Sequence, residues 1–225
     1  MPARIAFLEH SDSDVPGVLG QHAAALGLTV TTHRADRGAA ELPGLDDVNA
    51  LVVLGSAASV LDDLAWIRAE RALVTEAVAR EVAVLGVCFG GQLLAQVLGG
   101  TVARAVRPEI GWPALDTVDP DRIPPGPWLD CHEDAFTCPP GAEALASTAV
   151  SLHAFVQGVH TGVQFHPEAT RAIVEEWIVD LRSSGFVDEV GIAALRSGFG
   201  PDGRGPDDQA QHLLEGFLGR AGLHP

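Results

Sequence analysis

Along the first hundred positions, short apolar blocks alternate with longer stretches whose apolar residues recur at helical spacing. Arg4–Leu8 is an apolar block that stops at Glu9, His10 and a polar Ser-Asp-Ser-Asp turn, and Pro16 then opens an Ala- and Leu-rich stretch ending at Gly27. A strand, a loop and a helix follow from this pattern. Leu28–Thr32 predicts a second strand. Asn49–Leu54 predicts a third, almost continuously apolar, as a parallel strand covered on both faces requires. Leu64–Arg80 has helical spacing, Val82–Val87 is again apolar throughout, and Gly90–Leu98 is again helical. The β-α-β order predicts a mostly parallel sheet with helices on its faces. Ligands of such sheets sit beyond the carboxyl ends of the strands, where residues 9–14, Gly55 and Cys88 all fall.

Between Thr101 and Phe165 the texture changes to short runs broken by Pro and Gly, which predict antiparallel hairpins and edge strands. After His166-Pro167-Glu168, an amphipathic helix is expected over Thr170–Arg182 and a weaker one over Val187–Arg196. The Gly- and Pro-rich link GFGPDGRGP then leads to a last helix through Leu218, with Asp207 and Asp208 as its N-caps. A chain of 225 residues, 47% hydrophobic, can bury a sizeable core. One domain over residues 1–225 is expected, with a helical extension from about 185 to 225.

Thirty acidic residues against fourteen basic ones leave a net charge of −16, which excludes a phosphate-backbone partner, because nucleic-acid affinity rests on Lys and Arg. The start MPARIAFLEH lacks a signal-peptide pattern, and no apolar run is long enough to span a bilayer. Cys88, Cys131 and Cys138 are an odd set without CxxC spacing. Neither a disulfide framework nor a metal site is expected from them, no cofactor is implied, and a reducing cytoplasm fits best.

The string VLGVCFGGQLLAQVLGG places Cys88 directly after an apolar strand and before a helix, with Gly86 and Gly90 on either side. This is the G-x-C-x-G form of a nucleophile elbow, a tight turn that pushes the side chain out at the sheet edge. The positive end of the following helix favours a thiolate there. Alone, a free cysteine is as readily a small buried hydrophobe. GVQFHPE decides between these readings: a histidine at a strand end can take the thiol proton, and a carboxylate two residues on can hold its tautomer.

The elbow and the later HPE, in this order, resemble the class I glutamine amidotransferases, and among them a stand-alone branch similar to the amidotransferase domain of GMP synthase. The resemblance runs from Arg4 to Trp177 and includes VLGSAASV, PEIGW at Pro108–Trp112 and CHEDAF at Cys131–Phe136. A flavodoxin-like α/β fold agrees with both the strand order and the resemblance: a three-layer sandwich with a mostly parallel central sheet plus antiparallel edge strands. The resemblance implies Cys88 as nucleophile, His166 as base and Glu168 as the acid that orients it. It implies Gln92 as a glutamine contact, the N–H of Phe89 and the turn at Gly55 and Ser56 as the oxyanion hole, and Cys131, His132, Glu133 and Asp134 as the loop holding the amino-acid end. The implied reaction cleaves the γ-amide of glutamine or another γ-glutamyl compound through a γ-glutamyl thioester. Ammonia transfer would require a separate synthetase chain.

Two positions depart from the family pattern. Gly55-Ser56-Ala57 stands where the family has Gly-Gly-Pro, and serine tolerates positive φ less well than glycine, so a misaimed donor is expected. Gly91, where the family has a larger side chain, is expected to widen the pocket. His10 reads as a surface loop histidine, and Trp66, Trp112, Trp128 and Trp177 as packing residues. Glu175 and Glu176 read as ordinary helix residues. The alternatives are a stand-alone γ-glutamyl peptidase, a regulatory subunit that keeps the triad, and a cysteine-elbow relative without the HPE string.

Overall fold

In the computed structural model, which describes residues 2–223, the first half of the chain winds β1 (Arg4–Glu9), α1 (Gly17–Ala25), β2 (Thr29–Arg34), β3 (Ala50–Val53), α2 (Ala65–Ala79), β4 (Ala83–Val87) and α3 (Phe89–Val97). The second half holds β5 (Val102–Gly111), β6 (Asp116–Thr117), β7 (Asp130–Phe136), β8 (Glu143–Ser147), β9 (Leu152–Gln157), β10 (His160–Val163), α4 (Arg171–Ser184), α5 (Glu189–Arg196) and α6 (Asp207–Arg220). An eight-stranded sheet runs in the order β2-β1-β3-β4-β10-β9-β8-β6. Strands β2, β1, β3, β4 and β10 pair in parallel, and β9, β8 and β6 extend the sheet antiparallel. The fold is the flavodoxin-like α/β sandwich expected from the strand order.

The apolar strands are continuous in sequence but divide by face. Ile5, Phe7, Ala50, Val52, Leu85 and Val87 pack with Val18 and Leu19 of α1 and with Leu213 and Phe217 of α6. Their alternates Leu8, Leu51, Val53 and Val84 pack with Ile67 and Val74 of α2 and with Leu93 and Leu94 of α3. Strands buried on both faces need no polar alternation, so the run of apolar residues is what this layering demands. A third cluster joins Val174 and Ile178 of α4 to Ile192 and Leu195 of α5 and to Leu129.

Strands β5 and β7 pair antiparallel in a separate two-stranded sheet, whose register shifts between Arg104 and Glu109. One expectation is corrected here. Asp207 and Asp208 are not caps: they lie inside the first turn of α6, whose N-cap position is Pro206. Asp207 is engaged instead by Arg204 Nη1 at 2.6 Å and His22 Nε2 at 2.9 Å, while its charge still suits the positive end of the helix. Thr170 does cap α4, accepting from the Ile173 N–H, and Gly185 ends that helix in the left-handed conformation. No helix among the described residues is long and apolar enough to cross a membrane.

Candidate active site

Cys88 stands between β4 and α3 with φ 51° and ψ −106°, in a region that non-glycine residues rarely adopt. Its N–H donates to the Val163 carbonyl at 2.9 Å, which ties the elbow to the neighbouring strand β10. A Cβ on Gly86 would come 2.3 Å from the Gly90 carbonyl oxygen, and one on Gly90 would come 2.1 Å from that of Val53. The flanking positions are glycine because backbone occupies the space a side chain would need. Gly91 obeys the same rule, since its Cβ would meet the Val163 carbonyl at 2.4 Å. It packs the helix on the sheet and does not widen the cleft, contrary to expectation.

The chain leaves β10 through Gln164 and Phe165 to His166, whose N–H donates to Leu129. The His166 ring lies with Nδ1 2.7 Å from Glu168 Oε1. An ionised carboxylate only accepts, so Nδ1 carries the proton and Nε2 is free for the thiol. The Cys88 and His166 side chains flank the same point, since a Cβ on Gly55 would lie 3.8 Å from Cys88 Cβ and 2.7 Å from His166 Cε1, and the side chains of Cys88, His166 and Glu168 are all buried. Burial works against a charged His166, but the Glu168 carboxylate and the Cys88 sulfur outweigh it and hold the ring's pKa well above the ordinary histidine value. Phe165 behind it stacks on Trp128 at 4.6 Å, and the Trp177 ring lies 4.8 Å from the imidazole.

At the end of β3, a Cβ on Gly55 would lie 2.7 Å from His166 Cε1, so this turn approaches the ring as only glycine allows. Ser56 does not take the positive φ anticipated for it. Among the described residues only Glu81 and Cys88 do so without being glycine, and Ser56 Oγ caps its own turn by accepting from the Ala58 N–H at 3.1 Å. His10 is likewise not a surface residue. It is buried, with Nδ1 2.7 Å from the Gly55 carbonyl and Nε2 3.0 and 3.1 Å from the two Glu70 oxygens, beneath the rings of Trp66 and Phe89. Phe89, the first residue of α3, has an N–H with no intrahelical acceptor.

The remaining expected residues gather on the opposite wall. Gln92 is buried and donates to the Asp134 carbonyl at 3.0 Å and to Gln164 Oε1 at 3.3 Å. Asp134 accepts from Ser59 Oγ at 2.6 Å, and Arg104 pairs with both Glu133 and Asp134. Burial, with the Cys88 sulfur and Asp130 nearby, pushes the Cys131 thiol up to about 12, so Cys131 is a neutral wall residue. Gly55, Ser56, Cys88, Phe89, Gln92, Cys131, Glu133, Asp134 and His166 all line one cleft of about 670 Å³. Its far side is built from α4 and the turn after it, by Trp177, Asp180, Leu181 and Phe186. Sequence reasoning reads His10 as a surface residue and Trp177 as packing alone, and does not reach Glu70 or Gln164. Gln164, whose Nε2 lies 3.6 Å from Cys88 Sγ, was readable as the polar residue interrupting GVQF; Glu70 left no signal within its own helix.

The sequence model of the class-I glutamine amidotransferases matches residues 12–173, well over half of the chain. The protein belongs to that family. One component of a glutamine-hydrolysing GMP synthase from Sulfolobus acidocaldarius is 35% identical over 152 residues, covering 64% of this chain and 78% of the relative. A glutamine-hydrolysing GMP synthase from a Synechococcus species is 40% identical over 104 residues, covering 41% of this chain and 19% of that protein, so this chain spans about a fifth of the larger relative. The crystal structure of a glutamine amidotransferase from Methylobacillus flagellatus matches with a TM-score of 0.78 and 27% identity, over 97% of this chain and 94% of that one. In this class I amidotransferase the matched segment contains Cys88, His166 and Glu168, whereas the cleft wall from Trp177 to Phe186 and helices α5 and α6 lie beyond it.

Proposed function

We propose that this amidotransferase is a cysteine hydrolase that cleaves the γ-amide of glutamine or of another γ-glutamyl compound, with Cys88 as nucleophile, His166 as base and Glu168 orienting the base. The observation that carries the reading is the 2.7 Å contact of His166 Nδ1 with Glu168 Oε1, in a ring that lines one cleft with the Cys88 elbow. The Cys88 thiolate attacks the amide carbon, and the oxyanion that forms is held by the N–H groups of Phe89 and of the Gly55–Ser56 turn. His166, charged by the thiol proton, returns it to the leaving nitrogen. Water activated by the neutral ring then hydrolyses the γ-glutamyl thioester. Gln92, Cys131, Glu133 and Asp134 form the wall against which the α-amino and carboxylate groups sit.

The cleft favours a γ-glutamyl compound larger than glutamine as an alternative substrate. It continues past the thiol to the apolar side chains of Trp177, Leu181 and Phe186, where a leaving group bulkier than ammonia finds room. Release of ammonia to a separate synthetase chain is the reading supported by the relatives named as single subunits of glutamine-hydrolysing GMP synthases.

Mass spectrometry of the protein after rapid quenching with glutamine and with a panel of γ-glutamyl amides tests the proposal. A γ-glutamyl adduct on Cys88, absent in Cys88→Ala, is the expected result. No adduct with any member of the panel, together with turnover equal to that of Cys88→Ala, would overturn it.

A further inference from the structure

Glu109 on β5, His132 on β7 and His153 on β9 converge at the substrate wall, to whose lining His132 belongs, and all three are buried. Glu109 and His132 are partners in the β5–β7 register, so their side chains share a face, and that face meets the main sheet at His153. One carboxylate oxygen and two imidazole nitrogens lie within 4.8 Å of one another. Glu109 Oε2 is 3.1 Å from His153 Nε2 and 3.6 Å from His132 Nε2.

The hydrogen bonds around the group determine where its lone pairs point. His132 Nδ1 lies 3.1 Å from the Asp134 carbonyl oxygen, which can only accept, so Nδ1 carries the proton and Nε2 of the neutral ring is a bare lone pair. That Nε2 has no hydrogen-bond partner among the described residues, its side chain is 1% exposed, and it faces a carboxylate oxygen that is also an acceptor. Two acceptors facing each other in a dry interior call for a positive charge between them. His153 turns the same way, with Nε2 hydrogen-bonded to Glu109 Oε2 at 3.1 Å, a bond whose proton a metal ion would replace, and with Nδ1, unpartnered among the described residues, 3.6 Å from the fully buried Asp130. Each ring therefore aims Nε2 at the Glu109 carboxylate, and the Asp134 carbonyl on His132 Nδ1 is the outer contact that orients a metal-ligating imidazole. Thr148 and Ser151 donate to Glu109 at 2.7 and 2.6 Å and fix its carboxylate.

We propose that Glu109, His132 and His153 bind a divalent transition-metal ion of the zinc class. Metal–ligand bonds of about 2.0–2.2 Å in a tetrahedron place ligand atoms about 3.3 Å apart, and the two separations from Glu109 Oε2 bracket that edge. Imidazole nitrogen with carboxylate oxygen suits zinc and its neighbours better than calcium or magnesium. The ion would clasp the two-stranded β5–β7 sheet, which carries Cys131, Glu133 and Asp134, onto β9 of the main sheet. Expecting no metal from the sequence rested on cysteine spacing; these three ligands come from three strands far apart in the chain and form no short motif.

Cobalt(II) titration of the tag-free full-length chain, previously dialysed against a chelator, tests the site by its visible spectrum and stoichiometry. About one equivalent should bind, giving d–d bands of a nitrogen- and oxygen-ligated ion with no sulfur charge-transfer band, and zinc should displace it. Glu109→Gln and His153→Gln should weaken binding at least tenfold, and Cys88→Ala should leave it unchanged. Absence of stoichiometric binding would show that a proton, not a metal, bridges the group. A thiolate band, or binding lost in Cys88→Ala, would move the metal to the cysteine cleft; either result overturns the proposal. If the Glu109 and His153 variants do not fold, the spectrum and stoichiometry of the unmodified chain decide the matter alone.

Discussion

His10 holds the Gly55 carbonyl at 2.7 Å, and Glu70 holds His10 from behind. The carbonyl can only accept, so Nδ1 donates to it, and Nε2 shares a proton with the Glu70 carboxyl group. Through it, helix α2 fixes the turn whose N–H groups are proposed to meet the oxyanion. Losing one such donor costs about 10² to 10³ in turnover. His10→Gln combined with Glu70→Gln, which removes both members of the buried pair together, is expected to lower kcat by roughly tenfold to a hundredfold, since the donor is loosened and not deleted. KM for glutamine should stay near its original value. Steady-state kinetics distinguish this from a packing role, which would leave kcat intact.

The same pair gives the fold an alkaline limit. Burial disfavours a charged His10, but Glu70 and the Gly55 carbonyl overcome this and raise its pKa above the ordinary value. A raised pKa means that the folded state holds the proton more tightly than the unfolded chain. The stabilisation is therefore complete below about pH 6.5 and is lost as pH rises through the folded-state value. Tm of Cys88→Ala, used to remove thiolate chemistry, should fall on alkaline titration. Adding the His10→Gln and Glu70→Gln changes should flatten that fall; an equal fall in both proteins would refute the assignment.

Gly55 and Gly91 are expected to fail in different ways. A methyl group on Gly55 meets the imidazole of His166 at 2.7 Å, so Gly55→Ala displaces the ring while the sheet stays intact. A misplacement of this size costs about a hundredfold in rate. A methyl on Gly91 meets backbone of β10, so Gly91→Ala should cost about 1–3 kcal/mol of stability in urea unfolding. A Gly91 variant of normal stability with altered substrate preference would contradict this placement.

Trp177 is the test of the distal cleft. Its ring packs on His166, and its Nε1 donates to the Ser13 carbonyl at 3.2 Å, joining α4 to the loop after β1. Trp177→Phe keeps an aromatic ring there and loses the hydrogen bond. If the far wall receives the leaving group, KM for γ-glutamyl anilides should rise severalfold more than KM for glutamine. Equal changes for both substrates would confine Trp177 to supporting His166.

The strands and helices of the first hundred residues are legible because each strand is buried on both faces and each helix on one. Predicted and observed ends of β1, β3, β4 and α2 agree to within about a residue. The elbow and HPE were legible because tight turns restrict residue type so strongly. His10 was not: its burial depends on Trp66, Phe89 and Glu70 closing over it, contacts between residues roughly sixty to eighty positions apart that leave no local pattern. The separate β5–β7 sheet was hidden for a similar reason, since the shift after Arg104 changes pairing without changing strand character. Serine at position 56 misled in the other direction, because a relative's glycine says that positive φ is permitted there, not that this chain uses it.

Strand β10 is the last to enter the sheet in sequence order, yet it sits in the middle, between β4 and β9. It delivers His166 to a thiol made almost eighty residues earlier, and its Val163 carbonyl is what the Cys88 N–H binds. On the proposed mechanism the sulfur is therefore unarmed during synthesis until the central strand has been inserted, a slow non-local step. Its reactivity would then arrive together with closure of the sheet, leaving a half-made or half-unfolded chain without an activated nucleophile to turn on the amides around it.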